Sequence, residues 1–251
     1  MTGFDRRKAL TLGAGALGAL ALGVTPAQAA TWKLRWNPDP AKDGLKAFEG
    51  LEDDRAGTHP VQHIFAESNQ WRFLMHTRDR DTMTDRQRNE VRGMRSGGAA
   101  VPIKLNETWR LEYQAYWPSA LTATTAFTHI MQMKVSGVDA PVWTLTPRMK
   151  GSTGRLTIAG DSASEVDLTD YAPLQNKWID VMFEFKASHS GTLRCVIKNG
   201  SATVVDRKWN ANLWRDTAYL RPKWGIYRSL NSSGLKDCYQ LIRNYKGYQL
   251  V

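Results

Sequence analysis

The chain has 251 residues, and 34 Lys and Arg against 24 Asp and Glu give a formal net charge of +10. A basic chain can bind nucleic acid, but the basic residues are scattered, and no zinc-finger spacing, helix-turn-helix pattern or aromatic RNA-binding motif is present. The ten Trp residues instead favour an anionic or sugar partner, because indole faces stack on sugar rings while Lys and Arg attract acidic groups.

The first residues are typical of an export signal. Arg6, Arg7 and Lys8 precede an apolar run that ends in the small-residue cleavage pattern of Ala27 and Ala29. The paired arginines favour the twin-arginine route over an ordinary secretory signal. The run is too short and too rich in small residues for a membrane anchor. We therefore predict a signal peptide at 1–29, a single domain at 30–251, secretion from a bacterium, and no membrane contact after cleavage.

Short runs with period-two alternation, separated by turn residues, predict strands almost throughout 30–251. In chain order the predicted strands are Trp32–Trp36, Val61–Phe65, Trp71–His76, Arg86–Met94, Thr108–Trp117, Ala126–Val135, Val142–Met149, Arg155–Ala159, Trp178–Ala187, Thr192–Lys198, Ala202–Trp209, Tyr219–Ser229 and Cys238–Tyr248. Helix is predicted only at Ala41–Phe48 and in a turn near Asn210–Trp214. Asp79–Asp85 and Gly160–Asp170 are predicted loops. This pattern predicts an all-β fold, a two-sheet antiparallel β-sandwich of the jelly-roll type.

The two cysteines, Cys195 and Cys238, both lie in predicted strands. In an exported chain they pair if those strands are neighbours, and otherwise they are two buried thiols. The sequence leaves both outcomes open.

Three of the predicted strands place reactive side chains at period two. Arg88, Glu90 and Arg92 share one face, with Asn89 on the other. A row of charges is also typical of a solvated outer face. If the row instead lines a concave sheet, Arg88 can bind a carboxylate with both arms of its guanidinium.

The second strand places Gln132 and Lys134 on one face, and His129 on the other unless a bulge intervenes. The third strand aligns Lys223, Gly225 and Tyr227, and the glycine leaves room beside the phenol for a ligand. Each motif alone also has a purely structural explanation. Lys134 could keep an edge strand from pairing with another chain, and Tyr227 could pack at the rim of the sandwich.

In this order the three motifs resemble those of a superfamily of jelly-roll polysaccharide lyases. The motifs are Arg-x-Glu-x-Arg at 88–92, Gln-x-Lys at 132–134 and Lys-x-Gly-x-Tyr at 223–227. Alginate and heparin lyases of this superfamily have His where this chain has Lys134. With the string from Asp85 to Val91, the chain looks most like the glucuronan lyases, polysaccharide lyase family 20.

The resemblance implies a concanavalin-like jelly roll with a concave cleft and β-elimination on a β-1,4-linked polyuronate, polyglucuronate first. It implies no cofactor for the chemistry, and it allows a structural calcium ion whose ligands the sequence does not identify. We expect an acidic polysaccharide as the partner and a monomeric protein.

The expected roles follow from that chemistry. Tyr227 would carry the proton from C5 to the leaving oxygen O4, while Arg88 and Gln132 neutralise the uronate carboxylate. His129 or His76 would share the role of base. Lys223 would lower the pKa of Tyr227. The residues expected to bind substrate around them are Lys223, Lys134, Arg92, Asn89 and Arg228.

Two other functions remain open at this point. A glycoside hydrolase of the same fold would use a carboxylate row, of which Glu165, Asp167 and Asp170 are the nearest match. A carbohydrate-binding module would use tryptophans as stacking platforms; the candidates are Trp36, Trp71, Trp109, Trp117, Trp143 and Trp224. His59 and His63 have the spacing of helical metal ligands, but Pro60 disfavours a helix there, and we predict loop or strand.

Overall fold

Alternating burial along the strands divides the chain into two packed antiparallel sheets. The structure is a computed structural model that describes residues 30–135, 137, 140–160, 165–216 and 218–251, so the predicted signal peptide lies outside the described residues. The strands are β1 (Trp32–Trp36), β2 (Gly50–Asp53), β3 (Ile64–Ala66), β4 (Trp71–Met75), β5 (Arg86–Arg92), β6 (Arg95–Ser96), β7 (Ala99–Ala100), β8 (Thr108–Tyr116), β9 (Thr128–Val135), β10 (Trp143–Lys150), β11 (Thr153–Gly160), β12 (Val166–Asp170), β13 (Trp178–Lys186), β14 (Gly191–Asn199), β15 (Ala202–Ala211), β16 (Leu220–Ser229) and β17 (Cys238–Leu250).

One sheet has the strand order β15-β14-β13-β8-β17-β4-β3, with β1 also paired to β17. The other has the order β12-β11-β10-β9-β16-β5-β2. Strands that are distant in the chain are neighbours in both sheets, as in β16 beside β5. The predicted two-sheet antiparallel sandwich of the jelly-roll type is confirmed, and the residues Thr31–Val251 form one compact unit.

Helix is scarce and local. The predicted helix at Ala41–Phe48 is one α-helical turn, α1 (Pro40–Asp43), followed by a 3-10 turn at Gly44–Ala47. Asp39 caps α1 by accepting from the backbone N–H groups of the first turn. A second 3-10 turn lies at Ala172–Leu174. The helical turn predicted near Asn210–Trp214 is absent from these described residues, because β15 continues to Ala211.

Four strands lie where the sequence predicts none: β2, β12 and the two-residue strands β6 and β7, which pair only with each other. β12 occupies the second half of Gly160–Asp170, a stretch predicted to be a loop, and pairs with β11 at the sheet edge. Arg155 of β11 forms an ion pair with Asp170 of β12. A polar edge strand lacks the apolar alternation that reveals half-buried strands, and cross-strand ion pairs support it instead. β2, which pairs with β5, was missed because it has only four residues.

Aromatic side chains fill the space between the sheets. Trp224 of β16 stacks on Trp36 at a ring-centroid distance of 5.4 Å and lies 4.7 Å from Tyr245 of β17. All six tryptophans considered as sugar platforms are among the fully buried side chains of the core. None of the six can therefore present its face to a polysaccharide.

The cysteines are two buried free thiols. Cys195 lies on β14 and Cys238 opens β17, and β13 and β8 separate these strands in the sheet. The neighbouring strands that pairing requires are therefore absent. A search of the described residues finds no helix long and apolar enough to cross a membrane.

Candidate active site

The candidate site lies on one face of three hydrogen-bonded strands, β5, β16 and β9. The register of β16 with β5 sets Gly225 opposite Glu90 and Tyr227 opposite Arg88, so these side chains share a face. We call the side of this sheet that carries Arg88 and Tyr227, opposite the core, the cleft face. Arg88 and Tyr227 are each only 8% exposed. Burial on a face turned away from the core indicates that the sheet curves around these groups.

A bulge brings His129 to the cleft face. On β16 Lys223 and Tyr227 are four residues apart, but their partners on β9, Gln132 and His129, are three apart. The extra residue on β16 lies between Trp224 and Tyr227. A regular ladder would turn His129 away from Gln132, whereas the bulge places its ring 5.9 Å from that of Tyr227. This bulge is the exception to strand alternation that would let His129 take part.

Gly225 makes the bulge possible. Its φ of 137° lies in a region that side chains rarely adopt, and a Cβ there would stand 2.2 Å from the backbone oxygen of Asn89. β16 and β5 therefore approach each other more closely than any residue with a side chain would allow.

Tyr227 lies among cations. The Arg86 Nη1 donates to its hydroxyl oxygen at 2.7 Å, and the Arg88 guanidinium lies 3.7 Å from the ring centroid. Burial raises the pKa of Tyr227 above its usual 10.0, and the nearby Arg88 and Arg86 oppose that shift. Lys223, which we expected to lower this pKa, points instead to carboxylates, and the guanidinium groups take that role.

His129 is held as a neutral imidazole. Burial, together with the positive charges of Arg148, Arg88 and Lys134, lowers the pKa of His129 to about 3. Its Nδ1 lies 2.7 Å from the Thr146 hydroxyl oxygen on β10. At neutral pH the ring can exchange hydrogen bonds with a substrate but carries no charge.

Arg88 is surrounded by carboxylates. Its Nε donates to Asp81 at 2.9 Å, and its Nη1 donates to Glu52 at 3.1 Å and to Glu90 at 3.0 Å. Lys223 forms further ion pairs with Glu52 and, at 3.7 Å, with Glu90. Most of the charge on Arg88 is thus compensated within the protein, which weakens the expectation that Arg88 neutralises a substrate carboxylate.

Gln132 is buried on the cleft face and donates from Nε2 to Glu90 at 2.6 Å. An amide nitrogen carries two hydrogens, so the second remains for a ligand. Lys134 lies two residues along the same strand and is half-buried. Arg92 lies on the cleft face of β5, donates to Glu52 at 3.3 Å, and has a side chain 40% exposed. These three residues keep the positions that the motifs predict.

Three of the predicted site residues lie away from the cleft face: Asn89, Arg228 and His76. Asn89 faces the core side, where it donates to the Leu74 carbonyl oxygen and to Asp79. Arg228 also faces inward and donates to Gln87 and to the Cys238 sulfur. Both follow strand alternation, because each is one residue away from a cleft-face position. They are therefore corrected from substrate-binding candidates to packing residues.

His76 follows the end of β4, in the other sheet, and packs its ring 4.8 Å from that of His59. The expectation that it faces the cleft is corrected, because β4 belongs to the opposite layer of the sandwich.

Four residues of the site were not predicted from the sequence. Arg86 shares the period-two row of Arg88 and could have been found from that spacing. Glu52, Asp81 and Thr146 come from a short strand, a loop and a strand with no motif, so only the fold brings them together.

The carboxylate row considered for a hydrolase is engaged in ion pairs. Glu165 contacts Arg148 and Lys150, and the two aspartates of the row contact Arg155. The row lies at or beside edge strand β12, away from Tyr227.

A groove of about 1150 Å³ lies on the other sheet. Among its lining residues Arg194 pairs with Asp206, and Arg110 pairs with the neighbouring Glu184. We place the candidate chemistry on the cleft face because all three motifs contribute side chains there.

Within the described residues, one group of side chains could hold a metal ion: His59, His63, His76 and Asp79. Three of its four ligand atoms are nitrogens, whereas calcium takes oxygen ligands. The group does not fit the calcium ion that the sequence resemblance allowed.

No family model and no curated protein matches the sequence. The structure is similar to an endo-β-1,4-glucuronan lyase from the fungus Trichoderma reesei, with TM-score 0.59 and 11% identity, covering 86% of this chain and 95% of that one.

It is also similar to alginate lyase A1-II', a member of polysaccharide lyase family 7, with TM-score 0.58 and 12% identity over 85% of this chain and 99% of that one. An alginate lyase from Pseudomonas aeruginosa matches with TM-score 0.53 and 15% identity over 86% and 97%. At such identities the likeness establishes the fold, and it confirms the jelly-roll architecture that the motifs implied.

Proposed function

We propose that this protein is a secreted, monomeric polysaccharide lyase that cleaves a β-1,4-linked polyuronate, polyglucuronate first, by β-elimination. One observation carries the proposal. Tyr227, His129 and Gln132 share the cleft face, and Arg86 donates to the phenol oxygen of Tyr227. A phenol beside cations, a neutral imidazole and an amide suit the removal of a proton next to a carboxylate.

The reaction begins at C5 of the uronate, whose hydrogen becomes acidic once the neighbouring carboxylate is neutralised. The free N–H of Gln132 and the imidazole of His129 would bind that carboxylate, with Lys134 adding positive charge. These donors would stabilise the enolate as negative charge develops on the carboxylate oxygens. Arg88 would hold the carboxylates of the site in place rather than bind substrate directly.

Tyr227 would move the proton. Its phenolate, stabilised by Arg86 and Arg88, takes the C5 hydrogen as a proton, and the electron pair of that bond enters the enolate. Collapse of the enolate forms the C4–C5 double bond and breaks the bond between C4 and O4. Tyr227 then returns its proton to O4. In D-glucuronate both groups leave from one face of the ring, so a single residue serves as base and then as acid.

The carboxylates of the cleft face argue against hydrolysis. Most sugar hydrolases need one protonated carboxylic acid and one carboxylate. Although burial opposes ionisation, Lys223 and Arg88 lower the pKa of Glu52 to about 2, so this group stays ionised. Glu90 accepts from Arg88 and Gln132 and thus acts as an anchor for the donors.

One observation supports polyglucuronate as the substrate: Lys134 stands where alginate and heparin lyases of this fold have His. The fold itself is shared with a glucuronan lyase and with alginate lyases, so it suits either polymer. Alginate and heparin are the natural competitors, and the assay should include both.

The test is ultraviolet absorbance during incubation with glucuronan, alginate and heparin in parallel. β-Elimination leaves a double bond conjugated to the carboxylate, which absorbs, whereas a hydrolysis product does not. We expect absorbance to rise with glucuronan. Tyr227→Phe should reduce that rate by about a hundredfold or more, while Tyr248→Phe, on β17 of the other sheet, should retain it.

The other outcomes are equally informative. A rise with alginate or heparin alone would keep the reaction and correct the substrate. New reducing ends without absorbance would indicate a hydrolase, and binding without any product would indicate a carbohydrate-binding module. Tyr227→Phe with more than a few per cent of wild-type turnover would exclude Tyr227 as the proton carrier.

A further inference from the structure

Three histidines and one aspartate meet between the two sheets, outside the cleft face. The ring centroids of His59, His63 and His76 are 4.8 to 5.4 Å apart, and the candidate ligand atoms of these three and Asp79 all lie within 4.8 Å of one another. Neither His63 nor Asp79 has measurable exposure. We call these four residues the histidine cluster.

The distances within the histidine cluster suit a small tetrahedral ion. The Asp79 Oδ1 lies 2.7 Å from His59 Nδ1 and 3.0 Å from His63 Nε2, and these two nitrogens are 3.4 Å apart. The His76 Nδ1 lies 3.4 Å from the other Asp79 oxygen. Zinc–nitrogen bonds of about 2.0–2.1 Å in a tetrahedron separate the ligand atoms by about 3.3 Å.

Ring nitrogens of the histidine cluster have lone pairs that face no hydrogen-bond donor, and a cation would satisfy them. The Nδ1 of His63 is in close contact with the Asp53 carboxylate, outside the geometry of a hydrogen bond. The negative charge there favours a hydrogen on Nδ1, and the Nε2 lone pair then faces Asp79 Oδ1, which can only accept. A second hydrogen on His63, at Nε2, would be crowded against the hydrogen on His59 Nδ1, because these two nitrogens are 3.4 Å apart. His76 Nδ1 would still be buried without a hydrogen-bond partner. One cation at the centre satisfies all four atoms together.

The surroundings hold the ligands in position. The Asp53 carboxylate lies against His63 Nδ1 and accepts from the His63 backbone N–H at 3.3 Å, a position from which carboxylates support metal-bound histidines. The second oxygen of Asp79 accepts from the backbone N–H of His76 at 2.6 Å and from Asn89 at 3.0 Å. Asp54 accepts from the backbone N–H groups of His59 and Arg80, which ties the two ligand-bearing loops together.

We propose that His59, His63, His76 and Asp79 form a structural site for a divalent transition metal ion of the zinc type. Four protein ligands with little solvent exposure leave no open position for substrate, so the ion would stabilise the fold rather than take part in chemistry. Three imidazoles select such an ion over calcium or magnesium, which prefer oxygen.

The site would also position β5. On the core side of that strand, Gln87 donates to the backbone oxygens of His76 and Asp79. Asn89, on the same side, donates to the Asp79 side chain. The same loop carries Asp81, which binds Arg88 on the cleft face. An ion that orders this loop would therefore fix the partner of a cleft-face arginine.

The test is metal binding by the purified protein, measured without reference to activity. Elemental analysis should find about one zinc per chain, and chelator treatment should lower Tm. Adding Zn²⁺ back at a hundredfold excess over Kd should raise Tm by about 5–10 °C, whereas Ca²⁺ should not. Co²⁺ should give the intense visible bands of a tetrahedral site.

His76→Ala should weaken metal binding by about a hundredfold or more, because it removes one of four ligands. The matched control is His189→Ala, since His189 is exposed and lies outside the histidine cluster; it should bind as the unaltered protein does. If the unaltered protein contains no zinc and gives no cobalt bands, the proposal is overturned, whether or not His76→Ala folds. Recovery of Tm by Ca²⁺ alone, or equal binding by the two variants, would overturn it as well.

Discussion

Tyr227 experiences two opposing influences on its proton. Burial raises its pKa above 10.0, and the guanidinium groups of Arg88 and Arg86 act in the other direction. A phenol with a high pKa is a strong base once ionised, but few molecules are ionised at neutral pH. The rate should therefore depend on the fraction of protein molecules in which Tyr227 is ionised.

This predicts a characteristic pH profile. Below the pKa of Tyr227 the phenolate fraction grows about tenfold per pH unit, so kcat/KM should rise with pH without levelling below pH 10. The pKa of His129, about 3, should give no inflection between about pH 5 and 8, where an ordinary histidine titrates. Steady-state kinetics across this range is the measurement. A bell-shaped profile centred near neutrality would mean that another pair of groups moves the proton.

Arg86 should act through Tyr227. Arg86→Gln removes the cation that donates to the phenol oxygen at 2.7 Å, so kcat should fall by about tenfold or more. The rising limb of the pH profile should also move to higher pH, because the phenolate loses a stabilising charge. Arg86→Lys should recover part of both effects. Arg110→Gln, on the other sheet, is the control, and an unchanged profile in Arg86→Gln would contradict this role.

At the scale of elements, the bulge on β16 decides which side chains meet. It depends on Gly225, where any side chain would meet the backbone of β5. The strand must bring its backbone close to β5 and also take an extra residue relative to β9. Glycine meets both requirements.

Gly225→Ala should destabilise the protein by about 3 kcal/mol, since backbone atoms cannot move aside as a flexible side chain can. Urea denaturation measures this. Gly200→Ala is the matched control: it also has positive φ, but its Cβ would meet nothing within 4 Å, and its cost should be about 1–2 kcal/mol. Equal costs for the two variants would show that β16 can shift away from β5.

The same element shows what the sequence could predict. The motifs at 88–92 and 223–227 gave the strands, their reactive faces and Tyr227, because period-two alternation is a local property. The bulge that turns His129 is set by pairing between distant strands, so the sequence could name it only as an exception. Asn89 and Arg228 were misplaced because motif membership was weighed above alternation, which puts both on the core side.

The histidine cluster illustrates a different limit. His59 and His63 were set aside because Pro60 disfavours a helix, and there is indeed no helix there. The four residues meet because the loop between β2 and β3 folds against the loop between β4 and β5. Residues that different loops contribute carry no spacing signal, so only the fold could reveal them.

At the scale of the whole molecule, ion pairs link three strands across the cleft face. Glu52 of β2 contacts Arg88 of β5 and Lys223 of β16. Burial opposes the charge, but these cations lower the pKa of Glu52 from 4.5 to about 2. A carboxyl whose folded-state pKa is lowered stabilises the fold above its unfolded pKa and loses that contribution as pH falls.

Glu52 should thus contribute about 3 kcal/mol, since one pKa unit corresponds to about 1.4 kcal/mol. The contribution should be complete above about pH 4.5 and disappear as the pH falls to about 2. Denaturation measured across this range should show a steeper fall for the unaltered protein than for Glu52→Gln. Glu184→Gln, which alters a partly exposed pair with Arg110, should keep the steep fall. Parallel curves for all three would assign acid sensitivity to other groups.

The unequal intervals on β9 and β16 also affect how relatives of this chain can be recognised. Gln132 and His129 are three residues apart, while the facing Lys223 and Tyr227 are four apart. A pattern search that assumes even intervals on both strands would pass over any chain built this way. The informative signature is an odd interval on one strand matched with an even interval, containing a glycine, on the other.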